Sequence, residues 1–561
     1  MRDPFFVKFS PSVDPGLAVP LDSGRGLRYN KIKLGAALFI VGRADRALFL
    51  FFQRSSNKKP GSPSLISDLG RTYTPFGHAC TYTLQNFRVF VPPNFLQIEG
   101  KTKILPKARK EADLAAKEDL KMKKLCVWML ILLLTAGLSG CKSKSTLSPA
   151  APVTLTMWHV YGEQADSPMN RLVDLFNETL GKEKGIIIDV TVVTNSSKLG
   201  PQLLDAHANK PGAPTMPDLF SAFPSIVEAI GVEHVLDWHD YFSDEELSHF
   251  VEEFIADGML EDHLAVFPVS KSSYALFING SQFDRFSADT GVSFSDLTDW
   301  NGFFDAAAQY HEWSGGKSFC AFDYLLHNME LDALARGATP YTSNGWYNFE
   351  DLVLQESWMQ FARSLVQGHI SLSAPYSSTQ LTTGEALAGI GSTAGILYFN
   401  DTVTYPDNTS EPTNLRVLPL PRTEGTAGMM PVTGVGLSAY RTTEQKAEAA
   451  SVFLHWFTEN QRNLDFVVET GYMPVNNGAF DAIDGYSFPS ESYRELYAAI
   501  KTMRDTYTPF IQTAGSDFYS KANTLYEELR QMQPSWHQRA QQGEPIDALA
   551  EETWNLFRSV Q

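Results

Sequence analysis

A short apolar run from Leu125 to Ala136, preceded by Met122-Lys123-Lys124 and followed by Leu138-Ser139-Gly140-Cys141, divides this chain into two unlike parts. A basic start, a greasy stretch and a small-residue cleavage site make a secretory signal, and the run is too short for a comfortable transmembrane helix. Such signals act at the beginning of a chain. Translation is therefore expected to start at Met122, and residues 1–121 are expected to be a non-native or disordered leader extension. Charge marks the same cut: residues 1–121 carry 20 Lys and Arg against 10 Asp and Glu, whereas residues 141–561 carry 24 against 54. Within the leader, the apolar stretch Leu34–Phe52 is interrupted by Arg43, Asp45 and Arg46, which excludes a membrane span. No sustained hydrophobic period follows it, and no spacing supports a small basic nucleic-acid module.

The tetrapeptide ending at Cys141 resembles the bacterial lipobox, whose cysteine is lipidated and becomes the first mature residue. This implies a signal peptide over 122–140, a lipidated tether over 141–152 (polar and Pro-containing, as a flexible tether should be) and attachment to the extracytoplasmic face of a cell membrane. The 421 residues from Cys141 onward are enough for two or more hydrophobic cores. Their acidity makes nucleic acid an unsuitable partner. Of the four cysteines only Cys320 remains beyond the lipidation position, so no disulfide framework exists, and its Ser-Phe-Cys-Ala-Phe setting reads as core.

After the tether the pattern becomes regular. Val153-Thr-Leu-Thr-Met-Trp158 alternates and is β-branched, a strand by period. Ser167-Pro168 offers a cap and a first-turn proline ahead of Met169, Leu172, Val173, Phe176 and Leu180, which keep a helical face. Gly185–Val193 reads as a second strand, and β-α-β order calls for a parallel sheet covered by helices. Further along, Pro217–Phe220 reads as a buried strand, and Ser243-Asp-Glu-Glu246 as a capping box opening one helix that carries Leu247, Phe250, Val251, Phe254 and Ile255. Leu264–Asn279 and Val435–Tyr440 are strand-like, Thr443–Asn460 is an amphipathic helix, and from Ser490 the pattern is almost purely helical.

Five segments, in order, resemble the family 1 extracellular solute-binding proteins, receptors of bacterial ABC importers for sugars and related polyols. They are Thr156-Met-Trp-His-Val-Tyr-Gly162 with Phe176-Asn177, Pro217-Asp-Leu-Phe220, Phe267-Pro-Val-Ser-Lys-Ser-Ser-Tyr-Ala-Leu-Phe-Ile-Asn279, Thr433-Gly-Val-Gly-Leu-Ser438, and Thr470-Gly-Tyr-Met-Pro-Val475. The resemblance implies an α/β, two-lobed periplasmic-binding-protein fold with hinge crossovers and an α-rich C-terminal end. By analogy lobe 1 holds 153–269 with 419–470, and lobe 2 holds 270–418 with 471–561. It implies a monomeric receptor without cofactor, which captures a small-molecule ligand, a sugar or polyol, and delivers it to permease subunits in the membrane.

A neutral sugar needs aromatic rings over its C–H faces and hydrogen-bonding groups at its rim. In open α/β sheets ligands lie beyond the carboxyl ends of strands. That places Trp158, His159 and Tyr161 after the first strand, and Ser221 and Phe223 after the Pro-Asp strand, as candidate ligand-binding residues. By resemblance Ser272, Ser392, Gly434 and Tyr472 join them, with stacking expected on Trp158 or Tyr472. One branch of the family takes glycerol phosphate or its diesters, but the Arg it uses late in the chain has no match in Pro509–Ser516. Catalysis is not expected: the carboxylate pairs Glu245-Glu246, Glu252-Glu253 and Glu551-Glu552 fall on solvated helix faces, and no Gly-x-Ser-x-Gly elbow occurs. Nor is a metal, since His234, His239, His249 and His263 do not share a helical turn. Cys141→Ala is expected to move the protein from the membrane fraction to the soluble fraction on cell fractionation; retention in the membrane would place the anchor elsewhere.

Overall fold

Val153–His159 forms the expected first strand, and Ser167 caps the next helix, Pro168–Phe176, by accepting the Asn170 N–H at 3.0 Å. Asn177 then takes the place of a strand neighbour: its side-chain amide donates to Ile188 O and accepts from Ile188 N, both at 2.8 Å, fixing where the second strand begins to pair. Asp218 locks the same sheet from the other side. Its carboxylate accepts the Thr156 N–H at 2.9 Å and an ion pair from Lys446 at 2.8 Å, so the Pro-Asp segment ties the first strand to the helix Glu444–Phe457.

The computed structural model describes residues 38–41, 48–51, 80–84, 87–91, 145–162, 167–343, 345–373, 376–512 and 518–560. Two units are resolved by their contacts, Met1–Lys142 and Ser143–Gln561. In the first, Leu38–Val41 pairs with Leu48–Phe51, and Cys80–Leu84 with Phe87–Val91, both antiparallel. The sequence reading of an unpatterned leader did not contain these ladders, which use short β-branched and aromatic runs. The expected signal peptide and the lipidation residue Cys141 lie outside the described residues.

In the second unit the strands are β1 Val153–His159, β2 Ile186–Val193, β3 Leu219–Ala222, β4 Tyr274–Asn279, β5 Ser318–Phe322, β6 Ile370–Leu372, β7 Ala386–Ser392, β8 Leu415–Leu418, β9 Met429–Val432, β10 Gly436–Ala439 and β11 Thr508–Ile511. Two short ribbons, Met259–Leu260 with His263–Leu264 and Thr402–Thr404 with Ser410–Pro412, accompany them. One sheet has the order β10-β3-β1-β2, with β1 parallel to β2 and β3. The other has the order β6-β5-β7-β4-β8, with β5 parallel to β6 and β7, and β4 antiparallel to β7 and β8. Cys320 is fully buried on β5, and burial pushes its thiol pKa up. At the C-terminal end the helix Ile546–Ser559 packs on Leu352–Val366: Trp358 donates to Thr553 Oγ1 at 3.0 Å and lies against Trp554 and Phe557. Each such ring contributes about 1.5–3 kcal/mol by burial.

Two sequence expectations are corrected. The Ser243 capping box is present, but its helix ends at Leu247 and a second one, Glu252–Asp257, follows. Phe250 pairs with Asn476 and the Val251 N–H donates to Val475 O at 3.0 Å, so a tertiary strand contact takes backbone groups that the helix would have used. The tail after Ser490 likewise contains β11, paired in parallel with β9, between the helices Glu491–Thr506 and Phe518–Gln541.

Three segments join the two sheets side by side. Ser272 exchanges both backbone hydrogen bonds with Thr433 at 2.9 Å, and Lys271 pairs with Met473 on its other side. Lys271 is buried, and its ammonium pairs with Asp257 and donates to Gly434 O at 3.2 Å. Gly434 has φ +100°, and a methyl there would sit 3.3 Å from Ser272 N. Gly434→Ala is therefore expected to destabilise the protein by about 1–3 kcal/mol, read as a lower melting temperature in calorimetry; an unchanged melting temperature would show that the crossover relaxes freely.

Candidate functional site

The carboxyl ends of β1, β2 and β3 form one edge, and those of β5, β6 and β7 another; the crossovers 271–273, 433–434 and 471–473 run between them. At the first edge Tyr161 is buried, with its ring edge-on to Tyr472 (centroids 5.7 Å apart) and to Phe466 (5.2 Å), and its hydroxyl accepts from Ser270 at 3.1 Å. Ser221 lies beside that hydroxyl, yet its own Oγ is buried without an aligned hydrogen bond. Phe223 is half-buried at the start of the helix Pro224–Ile230 and lines a recess with Val160, Leu199, Ser221, Ile226 and Val435.

Along the seam, Ser272 and Gly434 stand opposite each other: a methyl on Gly434 would lie 3.4 Å from Ser272 Oγ. Ser392 closes β7, where its hydroxyl accepts the Ala394 N–H at 3.3 Å and keeps its own proton to donate. Gly471, at φ +71°, fits against Thr393 and Ala394, which brings the neighbouring Tyr472 to the end of β7. Tyr161, Ser221, Ser272, Ser392, Gly434 and Tyr472 thus lie along one seam.

Trp158 and His159 do not present themselves there. Trp158 is 2% exposed, packs in a separate core with Leu199, Leu203 and Phe220, and donates its indole N–H to Thr191 at 2.9 Å. The stacking role expected of it is thereby corrected: its ring packs on the sheet face covered by the helix Ser196–His207 and is interior. His159 is fully buried; its Nδ1 accepts the Tyr161 N–H at 3.2 Å, so Nε2 carries the proton and donates to Asn170 Oδ1 at 2.8 Å.

The second edge holds residues that the sequence reading missed. Tyr324 follows β5 and is 41% exposed, Tyr376 follows β6 and is 52% exposed, and Tyr398 in the turn after β7 is 62% exposed. Tyr324 stacks on Tyr274 at 5.0 Å. Tyr376 and Tyr398 lie close enough to Tyr472 for their phenols to oppose its ionisation. The signal was available: each follows a strand, and an exposed aromatic after a parallel strand is a ligand contact in the making.

Sequence and structure comparisons agree on what this arrangement is like. The profile of a family described as bacterial extracellular solute-binding protein matches residues 172–490. No curated protein matches the chain. Among solved structures, the cyclic alpha-maltosyl-1,6-maltose binding protein from Arthrobacter globiformis is similar with TM-score 0.54 at 16% identity, covering 73% of this chain and 99% of its own. The sugar-binding protein MalE from Xanthomonas citri gives 0.54 at 13%, covering 73% and 96%. UgpB from Mycobacterium tuberculosis, in complex with glycerophosphocholine, gives 0.53 at 14%, covering 73% and 98%. At such identities the likeness is one of fold, the two-lobed periplasmic-binding-protein fold. Among the described residues no group of three His, Cys, Asp or Glu is arranged to hold a metal, and no helix is long and apolar enough to cross a membrane.

Burial shapes the titration of the site. Tyr472 is pushed up to about 12, chiefly by burial and then by Tyr398 and Tyr376. Burial lowers His159 to about 4 against a weaker opposing pull from Asn170, lowers His327 to about 4, and with repulsion from His311 and His537 lowers His369 to about 4. Each of these histidines refuses, when folded, a proton that the unfolded chain takes near 6.5. Stability is therefore lost as pH falls from about 6.5 to about 4, by up to about 1.4 kcal/mol per unit and group. Asp323, raised to about 6 mainly by burial, has the opposite slope: the native state holds a proton between 3.8 and about 6 that the unfolded state releases. Glu330, pushed well above the usual carboxylate range by burial, shares that opposite slope, and the three histidines, joined by His537, outweigh the two carboxyls. The urea midpoint is expected to fall between pH 7 and pH 4.5, and His159→Gln should flatten that dependence; an equal slope in the variant would show that His159 does not titrate on unfolding.

Proposed function

Because this chain belongs to the bacterial extracellular solute-binding protein family, we propose that it is the extracytoplasmic receptor of an ABC importer, capturing a carbohydrate or polyol between two lobes and delivering it to a membrane permease. One observation carries the reading: exposed phenol rings and serine hydroxyls gather where the carboxyl edges of two α/β sheets meet three crossovers. Rings of this kind cover the apolar faces of a sugar, and the hydroxyls of Ser272 and Ser392 supply its rim. Tyr472, Tyr376, Tyr398 and Tyr324 are the stacking candidates, Tyr161 and Ser221 back them from the first sheet, and Trp158 and His159 support the wall from behind.

In this reading lobe 1 is 153–269 with 419–470 and lobe 2 is 270–418 with 471–561. The receptor is a monomer without catalytic activity, held at the outer face of the membrane through lipid on Cys141. Ligand shifts the lobes toward closure only as far as it binds the closed form better than the open one. The glycerol-phosphate alternative finds no observation in its favour over a sugar.

A thermal-shift screen of sugars and polyols identifies the ligand, since whatever binds only the native form raises its melting temperature. Calorimetry on Tyr472→Ala and Tyr376→Ala should then show affinity lower by roughly ten- to hundredfold, from the loss of about 1–3 kcal/mol of ring burial. Trp158→Ala should mainly lower the melting temperature. Wild-type affinity in both tyrosine variants, with the proteins folded, would mean the site lies elsewhere.

A further inference from the structure

The electrostatics of the second edge are one-sided. Asp323 follows β5 and accepts the Ser377 N–H at 2.5 Å; its charge acts on the phenol of Tyr324, its neighbour in sequence, on which Tyr376, the neighbour of Ser377, also acts. A methyl on Gly391 would overlap that carboxylate, so the glycine is what lets it lie across β7. Among the described residues the groups acting on Asp323 are Ser373 and Ser377, with no cation. The groups acting on Tyr472, Tyr161 and Tyr519 likewise include no Lys or Arg, and Arg530, which acts on Tyr526, is already paired with Glu527. Segments 163–166, 374–375 and 513–517 contain neither residue in their sequence. The one buried ammonium nearby, Lys271, is already paired with Asp257. Beyond the site, residues 141–561 carry 24 basic against 54 acidic side chains, a field that draws cations and repels anions.

A carboxylate without a basic partner among the described residues, beside a cluster of phenol rings, is the chemistry that recognises an ammonium group: the ring quadrupoles attract the cation and the carboxylate pairs with it. Resting on the proposed receptor function, we infer that the ligand bears a positive charge, an ammonium seated against Asp323 among Tyr324, Tyr376 and Tyr472. An amino sugar and a choline group both present that charge.

The titratable groups facing Asp323 are the phenols of Tyr324, Tyr274 and Tyr526 and the Cys320 thiol, all shifted above their ordinary pKa and so neutral across this range. Asp323 itself loses its charge as pH falls through about 6. Affinity for an ammonium ligand should then fall about tenfold per unit below that pH, because the proton must leave before the cation can pair.

Calorimetry on the purified protein decides the matter with three probes: chitosan tetraose, its fully N-acetylated counterpart, and choline. The expected result at pH 7.5 is at least tenfold tighter binding of chitosan tetraose or choline than of the N-acetylated sugar. Asp323→Asn, checked for folding by its melting temperature, should cut that ratio below threefold, and Tyr324→Ala should lower it in parallel. Chitosan binding alone assigns the charge to a protonated amine, and choline binding alone assigns it to a quaternary ammonium. Equal or better binding of the N-acetylated sugar overturns the inference while leaving the carbohydrate receptor intact. Absence of binding by both ammonium probes overturns it as well, and if neutral sugars and polyols also fail to bind, the receptor reading falls with it.

Discussion

A buried lysine sets the geometry on which the rest of this molecule depends. Lys271 is 1% exposed at the point where the chain leaves the first sheet for the second, and a lone ammonium in that position would cost several kcal/mol. Asp257 and the Gly434 carbonyl satisfy it, the first from the helix Glu252–Asp257 and the second from the returning crossover. Backbone pairing of Lys271 with Met473 and of Ser272 with Thr433 completes a three-stranded joint. A charge buried with two partners from different segments has few alternative arrangements, so the joint holds the register of all three crossovers. That register in turn decides which residues of each sheet edge face one another.

From the joint outward the site divides into a stiff back and an exposed front. Tyr161, locked between Phe466, Tyr472 and the Ser270 hydroxyl, and His159, with both ring nitrogens engaged, cannot turn toward a ligand without breaking buried hydrogen bonds. Tyr324, Tyr376 and Tyr398 keep their rings largely in solvent. Rings packed behind and more exposed rings in front leave the back of the site already ordered before binding, which limits the entropic cost of association.

The strands were legible where alternation and a flanking cap coincided, as at Val153–His159 and Ser167-Pro168, and the crossover segment and the Thr-Gly-Tyr element were legible by resemblance. The break at Ser248–Val251 was not, because the groups that interrupt the helix belong to Val475 and Asn476, more than two hundred residues away. Trp158 was misplaced for a similar reason. Its type and position fit a ligand platform, and only the helix Ser196–His207, whose Leu199 and Leu203 pack with it, shows that its face of the sheet is covered. The tyrosines of the second edge escaped notice since their strands are short, and the five residues of Ser318–Phe322 look like core until their parallel partners are known.

Two buried hydroxyls on the seam bear on how such a site works. Ser221 and Ser273 place Oγ atoms in the interior without an aligned hydrogen bond, and a buried hydroxyl left unsatisfied costs about 1–3 kcal/mol. Ser221 lies on β3 and Ser273 on the first crossover, so each sits where the two sheets meet and not deep in either core. Hydroxyls of this kind are normally paired during folding, because serine can rotate to find a carbonyl. A rearrangement of the seam that supplied either one with a partner would recover that cost, on a scale sufficient to shift a two-state equilibrium five- to a hundredfold.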